Sequence, residues 1–347
     1  MEVENKNKEP DYLTVIAKLI NVILILLLII ILLVIINFSG IGKGNEKEGK
    51  PYEGAATPAK EKTEISQAWQ APDTMGWSEE KNITLLRYGR NLIANTSYYF
   101  GPRGKIFQLT NGMNCQNCHL EAGTKPYGNN YGAVASTYPK FRQRSGSIES
   151  IHKRVNDCFE RSLNGKAIDS TGMEMLAIIS YIEWLGKDVP KGEKPLGAGI
   201  VEIPYLDRAA DPEKGKIVYD LKCKTCHEDN GEGKLNSDAL TYKYPPLWGE
   251  HSFNIGAGLY RLSRFASYVK YNMPQGASFD NQQLNNEEAW DVAAFVNSQP
   301  RPKKDLSKDW PNIKGKPVDH PFGPYADKFS EKQHKYGPFQ ALLPSNK

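Results

Sequence analysis

Two short runs of the sequence share one five-residue pattern, Cys115-Gln116-Asn117-Cys118-His119 and Cys223-Lys224-Thr225-Cys226-His227. Two thiols at this spacing can each form a thioether with one haem vinyl group while the next imidazole falls under the iron. Each run therefore predicts a covalently bound haem c, with Cys115, Cys118 and His119 holding one and Cys223, Cys226 and His227 the other. A zinc knuckle or a disulfide pair is the bland rival, and neither needs His directly after the second Cys. Of the five cysteines four are consumed in this way, which excludes a disulfide framework and leaves Cys158 in need of a role.

Iron held by a single His has a further axial position, whose occupant tunes potential and access. Met273, followed by Pro274, is the candidate for the second haem, 46 residues beyond His227 (273 − 227) and 22 before Phe295 (295 − 273). Counting back 23 from Tyr181, the counterpart of Phe295 in the first domain, lands on Cys158 (181 − 158). The spacing thus predicts the iron ligands His119 with Cys158, and His227 with Met273. Met173 and Met175 are rival ligands for the first haem, but they open an apolar helix and read as core. His152 falls on a different helix face from Cys158, and His251, His320 and His334 read as surface or structural residues.

A helix N-capped by Ser147 and running to Asn164-Gly165 would present Ile151, Val155 and Phe159 as its buried stripe. Arg154, Cys158 and Ser162 form the adjacent row, so guanidinium, thiol and hydroxyl would face one patch. Residues 140–166 hold seven basic side chains (Lys140, Arg142, Arg144, Lys153, Arg154, Arg161, Lys166) against three acidic ones (Glu149, Asp157, Glu160), a net of +4 equal to that of the whole chain. Basic neighbours favour a thiolate, the form that binds iron or attacks sulfur. A basic run is usually a solvated face; this one brackets a presumed iron ligand.

The elements that must position these groups suggest a mainly α fold, two cytochrome c domains in tandem after an N-terminal transmembrane helix. A chain of 347 residues with 39% apolar content suits two small cores. The expected order is a cytoplasmic stub (1–12), a membrane anchor (13–37), a flexible Gly/Lys/Glu/Pro tether (38–66), a first cytochrome c domain (67–190), a linker with the second domain (191–300) and a C-terminal strap (301–347). The apolar run from Leu13 to Ile36 has the length of a span and exceeds the apolar core of a cleavable signal peptide. Lysines flank it evenly and leave the orientation open. Bacterial c-type haem attachment takes place outside the cytoplasmic membrane, so the haem domains are expected on the periplasmic or extracellular side. Cytochrome c folds cross their first and last helices closely, and Gly89 with Tyr181, and Gly215 with Phe295, suit such crossings. The intervals from Gly89 to Cys115 and from Gly215 to Cys223 give the first domain an insertion of about 18 residues, (115 − 89) − (223 − 215).

The stretch NCQNCHLEAGTKPYGNNYGAVASTYPKFRQRSGSIESIHKRVNDCFERSLNGKAI resembles the thiosulfate dehydrogenases, dihaem cytochromes c that join two thiosulfates into tetrathionate. The likeness runs from about Trp69 through the tail motif PFGPYADKFSEKQHKYGPF, and its most specific part is RVNDCFERS. It implies that the first haem, on His119 and Cys158, is the active site, with Arg144, Arg154 and Ser162 around the substrate. It implies further that the second haem, on His227 and Met273, passes electrons to or from an external partner such as a cytochrome c or a membrane redox complex. Some members carry a Lys before that Met, able to exchange with it; Asn272 occupies the position here. The anchor also departs from the usual exported members.

A pure electron carrier, such as an anchored oxidase subunit, would explain the anchor and both haems but not a Cys in the ligand slot with Arg around it. A carrier-dependent sulfur-oxidation cytochrome is the other alternative. No signalling domain supports a haem sensor, and no nucleic-acid partner is expected. Tetrathionate reduction uses the same atoms in reverse, and the direction is not legible.

Overall fold

The computed structural model describes residues 12–38, 67–73, 80 and 82–343. The chain divides into two units, 1–56 and 57–347. Helix α1, Tyr12–Phe38, is the described part of the first unit. Its side chains are described from residue 16 to residue 32 and stand exposed, Leu28 at 66%. Among the described residues no helix is long and apolar enough to cross a membrane. The segment expected as an anchor is an apolar helix. The expected tether lies almost wholly outside the described residues.

In the second unit, two helix crossings at glycine organise two cores. Helices α2 (Ile83–Ala94), α3 (Ile151–Arg161) and α4 (Met173–Leu185) build the first; α5 (Pro212–Lys222), α6 (Leu262–Asn272) and α7 (Asn286–Ser298) build the second. A Cβ on Gly89 would stand 2.0 Å from the Ala177 carbonyl oxygen and 2.9 Å from Tyr181 Cβ, so α2 lies directly on α4. A Cβ on Gly215 would stand 1.9 Å from the Asp291 oxygen and 2.8 Å from Phe295 Cβ, so α5 lies on α7 in the same way. Both expected glycine–aromatic pairings are present.

Local sequence sets the helix ends. Asp211 caps α5, accepting from the Glu213 and Lys214 amides at 2.9 and 3.4 Å, and Pro212 at the first helical position needs no donor. Asn285 and Glu288 form a capping box at α7. Two expectations need correction. Ser147 is not the cap of α3: it sits in strand β2 (Ser147–Glu149), paired with β1 (Lys140–Arg142) in the register Phe141 to Ile148. The hairpin uses the residues up to Glu149, and Ser150 caps the helix by accepting from the Lys153 amide at 3.3 Å. Met173 is 58% exposed rather than core, whereas Met175 is fully buried.

The segment after α7 fastens the two cores together. Asp309 receives both guanidinium nitrogens of Arg161 at 2.7 Å, the fork geometry that gives such pairs their specificity. The Trp310 amide donates to the Arg144 carbonyl at 2.7 Å. Farther on, the fully buried Asp319 caps the start of α6 at the Ser263 amide and pairs with Arg261, and Phe339 packs into the second core beside Trp290 and Tyr205.

Candidate functional site

Both attachment motifs end in an imidazole turned the same way. His119 Nδ1 lies 2.6 Å from the Asn129 carbonyl and His227 Nδ1 lies 2.8 Å from the Pro245 carbonyl. An N–H donated there leaves Nε2 as the free lone pair, the arrangement that orients a histidine ligand toward a metal. Burial pushes His119 down to about 4 and His227 down from the usual imidazole range, so both rings are neutral and able to ligate. All five cysteines are unpaired. In the first domain burial raises the Cys115 and Cys118 thiols to about 12.

The residues fit a haem. Beside His119 lies a cavity of about 300 Å³, with Cys115 and Cys118 in its wall, Ile93, Met113, Val134, Ile178 and Ile182 as its apolar lining, and Cys158 among the residues facing it. Tyr131 stacks on the His119 ring at 4.5 Å and 27°. Helix α3 positions the other wall: Phe159 is fully buried and Ile151 nearly so, Phe159 meets Phe100 edge-on at 5.3 Å, and this anchoring turns the row Arg154, Cys158, Ser162 toward the cavity.

A second cavity, of about 650 Å³, adjoins the first and shares Cys118, His119, Arg154, Cys158 and Ser162 with it. Arg144 lines only this larger space. Cys158 and then nearby anions hold the Arg154 guanidinium well above its ordinary value despite burial. Burial, and then the like charges of Arg154 and Arg161, bring Arg144 down to about 10; it stays cationic and donates to the Gly256 carbonyl at 3.1 Å. All four residues expected around the substrate, Cys158, Arg144, Arg154 and Ser162, thus face one space.

The basic cluster of residues 140–166 separates by role. Arg161 is tied to Asp309, and Lys153 to Asp157 four residues on. Lys140, whose strand runs along the cavity, lines both spaces, whereas Lys166 lines neither. Sequence reasoning missed Lys194, Arg261 and Arg264 from the linker and α6, and Trp310 and His320 from the strap, all of which line the larger cavity. Each lies far from Cys158 in the chain, and no local pattern marks it. His320 is buried at the cavity wall, not at the surface. His334 is structural as expected, with Nδ1 2.8 Å from the Val318 carbonyl and Nε2 3.0 Å from Asp327.

In the second domain, Cys223 and Met273 pack against one apolar cluster with Leu247, Leu259 and Tyr271. Met273 closes the C-terminus of α6. Asn272 is buried and donates to the Tyr127 and Tyr268 carbonyls at 3.2 and 3.0 Å, so its side chain is committed elsewhere.

Two glycine-crossed helical cores, each with an attachment motif and an oriented imidazole, define a c-type cytochrome with two covalent haems. Residues 106–190 match the family described as SoxA/TsdA, cytochrome c domain, and residues 212–300 match cytochrome c. The chain is 42% identical over 225 residues to a thiosulfate dehydrogenase of Psychrobacter arcticus, covering 63% of this chain and 65% of that protein. It is 39% identical over 196 residues to one of Allochromatium vinosum, covering 55% and 71%. The solved thiosulfate dehydrogenase (TsdBA) of Marichromatium purpuratum superposes with a TM-score of 0.64 at 29% identity over 74% of this chain and 53% of that one. The chain belongs to the thiosulfate dehydrogenase family. It spans just under two thirds of the Psychrobacter protein and about half of the solved chain.

Proposed function

We propose that the protein couples two thiosulfates into tetrathionate at the first haem domain. The observation that carries this reading is the cationic cavity that joins Cys158, Arg144, Arg154 and Ser162 to the His119 side of the haem site. Coupling forms one sulfur–sulfur bond between the terminal sulfurs of two thiosulfates and releases two electrons, with no atom leaving. When bound, the two haems supply places for those electrons and a route to an external acceptor.

The residues do the rest. Two dianions brought together repel by roughly 1 kcal/mol per charge pair at 4 Å in water, and by several times more in a less polar space. Arg154 and Arg144 offset that repulsion and hold oxyanions through forked hydrogen bonds. Ser162 adds a hydroxyl donor on the same helical row, and Cys158 presents its sulfur between them. His119 and Cys158 are the ligands assigned to this iron; His227 and Met273 are those assigned to the second. Anions are the matching substrates because, among the described residues, Asp309 is the single carboxylate lining the cavity, and Arg161 neutralises it.

The test is turnover of purified holoprotein with thiosulfate and an artificial electron acceptor, following tetrathionate formation. Activity without any carrier protein supports the reading; a strict need for a carrier favours the sulfur-oxidation alternative, and no turnover favours the electron carrier. Running both directions against electrochemical potential assigns oxidation or reduction as the favoured one.

We also propose that α1 anchors the chain in the cytoplasmic membrane with the haem domains on the outer side. The sequence run from Leu13 to Ile36 is almost unbroken Leu, Ile and Val, the length and composition of a span of roughly 20 residues. Its Leu, Ile and Val side chains are exposed all round between residues 16 and 32. Recovery of the chain in the washed membrane fraction, and its release on deletion of 13–37, are the expected results.

A further inference from the structure

The coupling reaction needs two anions, and the Cys158 row accounts for one. Tetrathionate carries a sulfonate at each end of its sulfur chain, so a site that makes or holds it needs cations at two places. The larger cavity supplies a second set on its far wall. Arg261 and Arg264 stand at the first turn of α6, Lys194 comes from the linker, and Trp310 and His320 come from the strap.

We propose that these residues form a second oxyanion subsite, for the outer thiosulfate and for the far sulfonate of tetrathionate. This inference rests on the function proposed above. The two walls bound one space: Arg142 from the near side and Arg261 and Arg264 from the far side all line the larger cavity. Lys140 is lowered by burial, and Lys194 is among the cations that add to it. Charge on the far wall is only partly spent. Asp319 neutralises Arg261, but the partner of Arg264, Glu202 at 3.1 Å, is 65% exposed and weakly held. No ion pair engages Lys194 among the described residues.

The strap closes this wall. Trp310 lines the cavity, with its Nε1 buried and without a hydrogen-bond partner. Trp310 adopts φ of +60°, a conformation uncommon for a bulky residue, and is held there by the Arg144 carbonyl on one side and the Asp309–Arg161 clamp on the other. His320 stands edge-on to it at 5.5 Å, with Nδ1 3.2 Å from the Phe322 carbonyl and 3.4 Å from the Phe322 amide; in the tautomer that accepts from the amide, Nε2 carries the N–H. The first domain alone would hold one thiosulfate; the strap and α6 complete the place for the other.

The experiment is calorimetric titration of oxidised wild-type, Arg264→Gln, Lys194→Gln and Trp310→Phe holoproteins with tetrathionate, beside steady-state turnover of thiosulfate. Charge-assisted hydrogen bonds predict about a tenfold weakening of tetrathionate binding for each cation lost, and a parallel rise in thiosulfate KM, with the absorption spectrum and potential of the first haem unchanged. Lys166→Gln, outside the cavity, should match wild type. Variants that bind tetrathionate as wild type does overturn the subsite and leave the proposed function standing. A shifted haem spectrum or potential with unchanged tetrathionate binding also overturns it, because the cations would then serve the haem carboxylates. Wild-type protein that neither binds tetrathionate nor turns over thiosulfate overturns both.

Discussion

The two haem domains share a scaffold and part ways around Cys158 and Met273, the residues proposed as second iron ligands. In each, a glycine lets the first helix lie on the last and a backbone carbonyl fixes the imidazole. The first domain then presents Cys158 to a cationic cavity of about 650 Å³, while the second packs Met273 against the same apolar core as Leu247, Leu259 and Tyr271. On the function proposed above, the large polar space beside Cys158 would admit a substrate, and the apolar setting of Met273 would suit electron passage. On that reading, one ligand and the charge around it separate a reaction centre from a relay, and not the fold.

The largest expected break in that contrast is Cys158→Gly, which should abolish tetrathionate formation while the second haem keeps its spectrum and potential. The shared scaffold is next. Gly89→Ala and Gly215→Ala each force two helices apart, and overpacking of this kind costs about 1–3 kcal/mol or more, so both variants should unfold at lower denaturant, each losing its own haem environment first. If only one is affected, the crossings are not equivalent. Arg154→Ala and Arg144→Ala should each lower kcat/KM for thiosulfate by about ten- to a hundredfold, from the loss of one or two charge-assisted contacts, with both haem spectra intact. Met273→Gly should move the potential of the second haem and leave tetrathionate binding unchanged; lost binding would mean that the roles of the domains are reversed. The smallest effect belongs to Lys166→Ala, which lies outside the cavity and should matter only at low ionic strength, where long-range attraction is unscreened.

Local features were legible in the sequence and distant ones were not. The attachment motifs are contiguous, the Asp211–Pro212 start of α5 is a two-residue signal, and the glycine–aromatic crossings show because glycine is conspicuous in a helix. The row Arg154, Cys158, Ser162 follows from helical periodicity alone. Ser150 was hidden as the cap because the β1–β2 hairpin, whose turn closes with Gly146 at φ +63° and its amide on the Arg142 carbonyl, uses the residues before it. Lys140 lies 18 residues before Cys158 in the chain (158 − 140), yet its strand carries it to the cavity wall. The strap looked featureless since its work is done by Asp309 and Asp319, whose partners Arg161 and Arg261 lie 148 and 58 residues away. No periodicity reports a contact of that range.

Electron paramagnetic resonance of the oxidised holoprotein, wild type against Cys158→Gly, tests the central claim most directly. Wild type should give two distinct low-spin haem signals, one with the signature of a thiolate beside a histidine, and the substitution should remove that signal alone and leave the histidine–methionine one in place. Two unaltered signals in Cys158→Gly would contradict the account, because the sulfur at the head of the cationic cavity would then not be bound to iron.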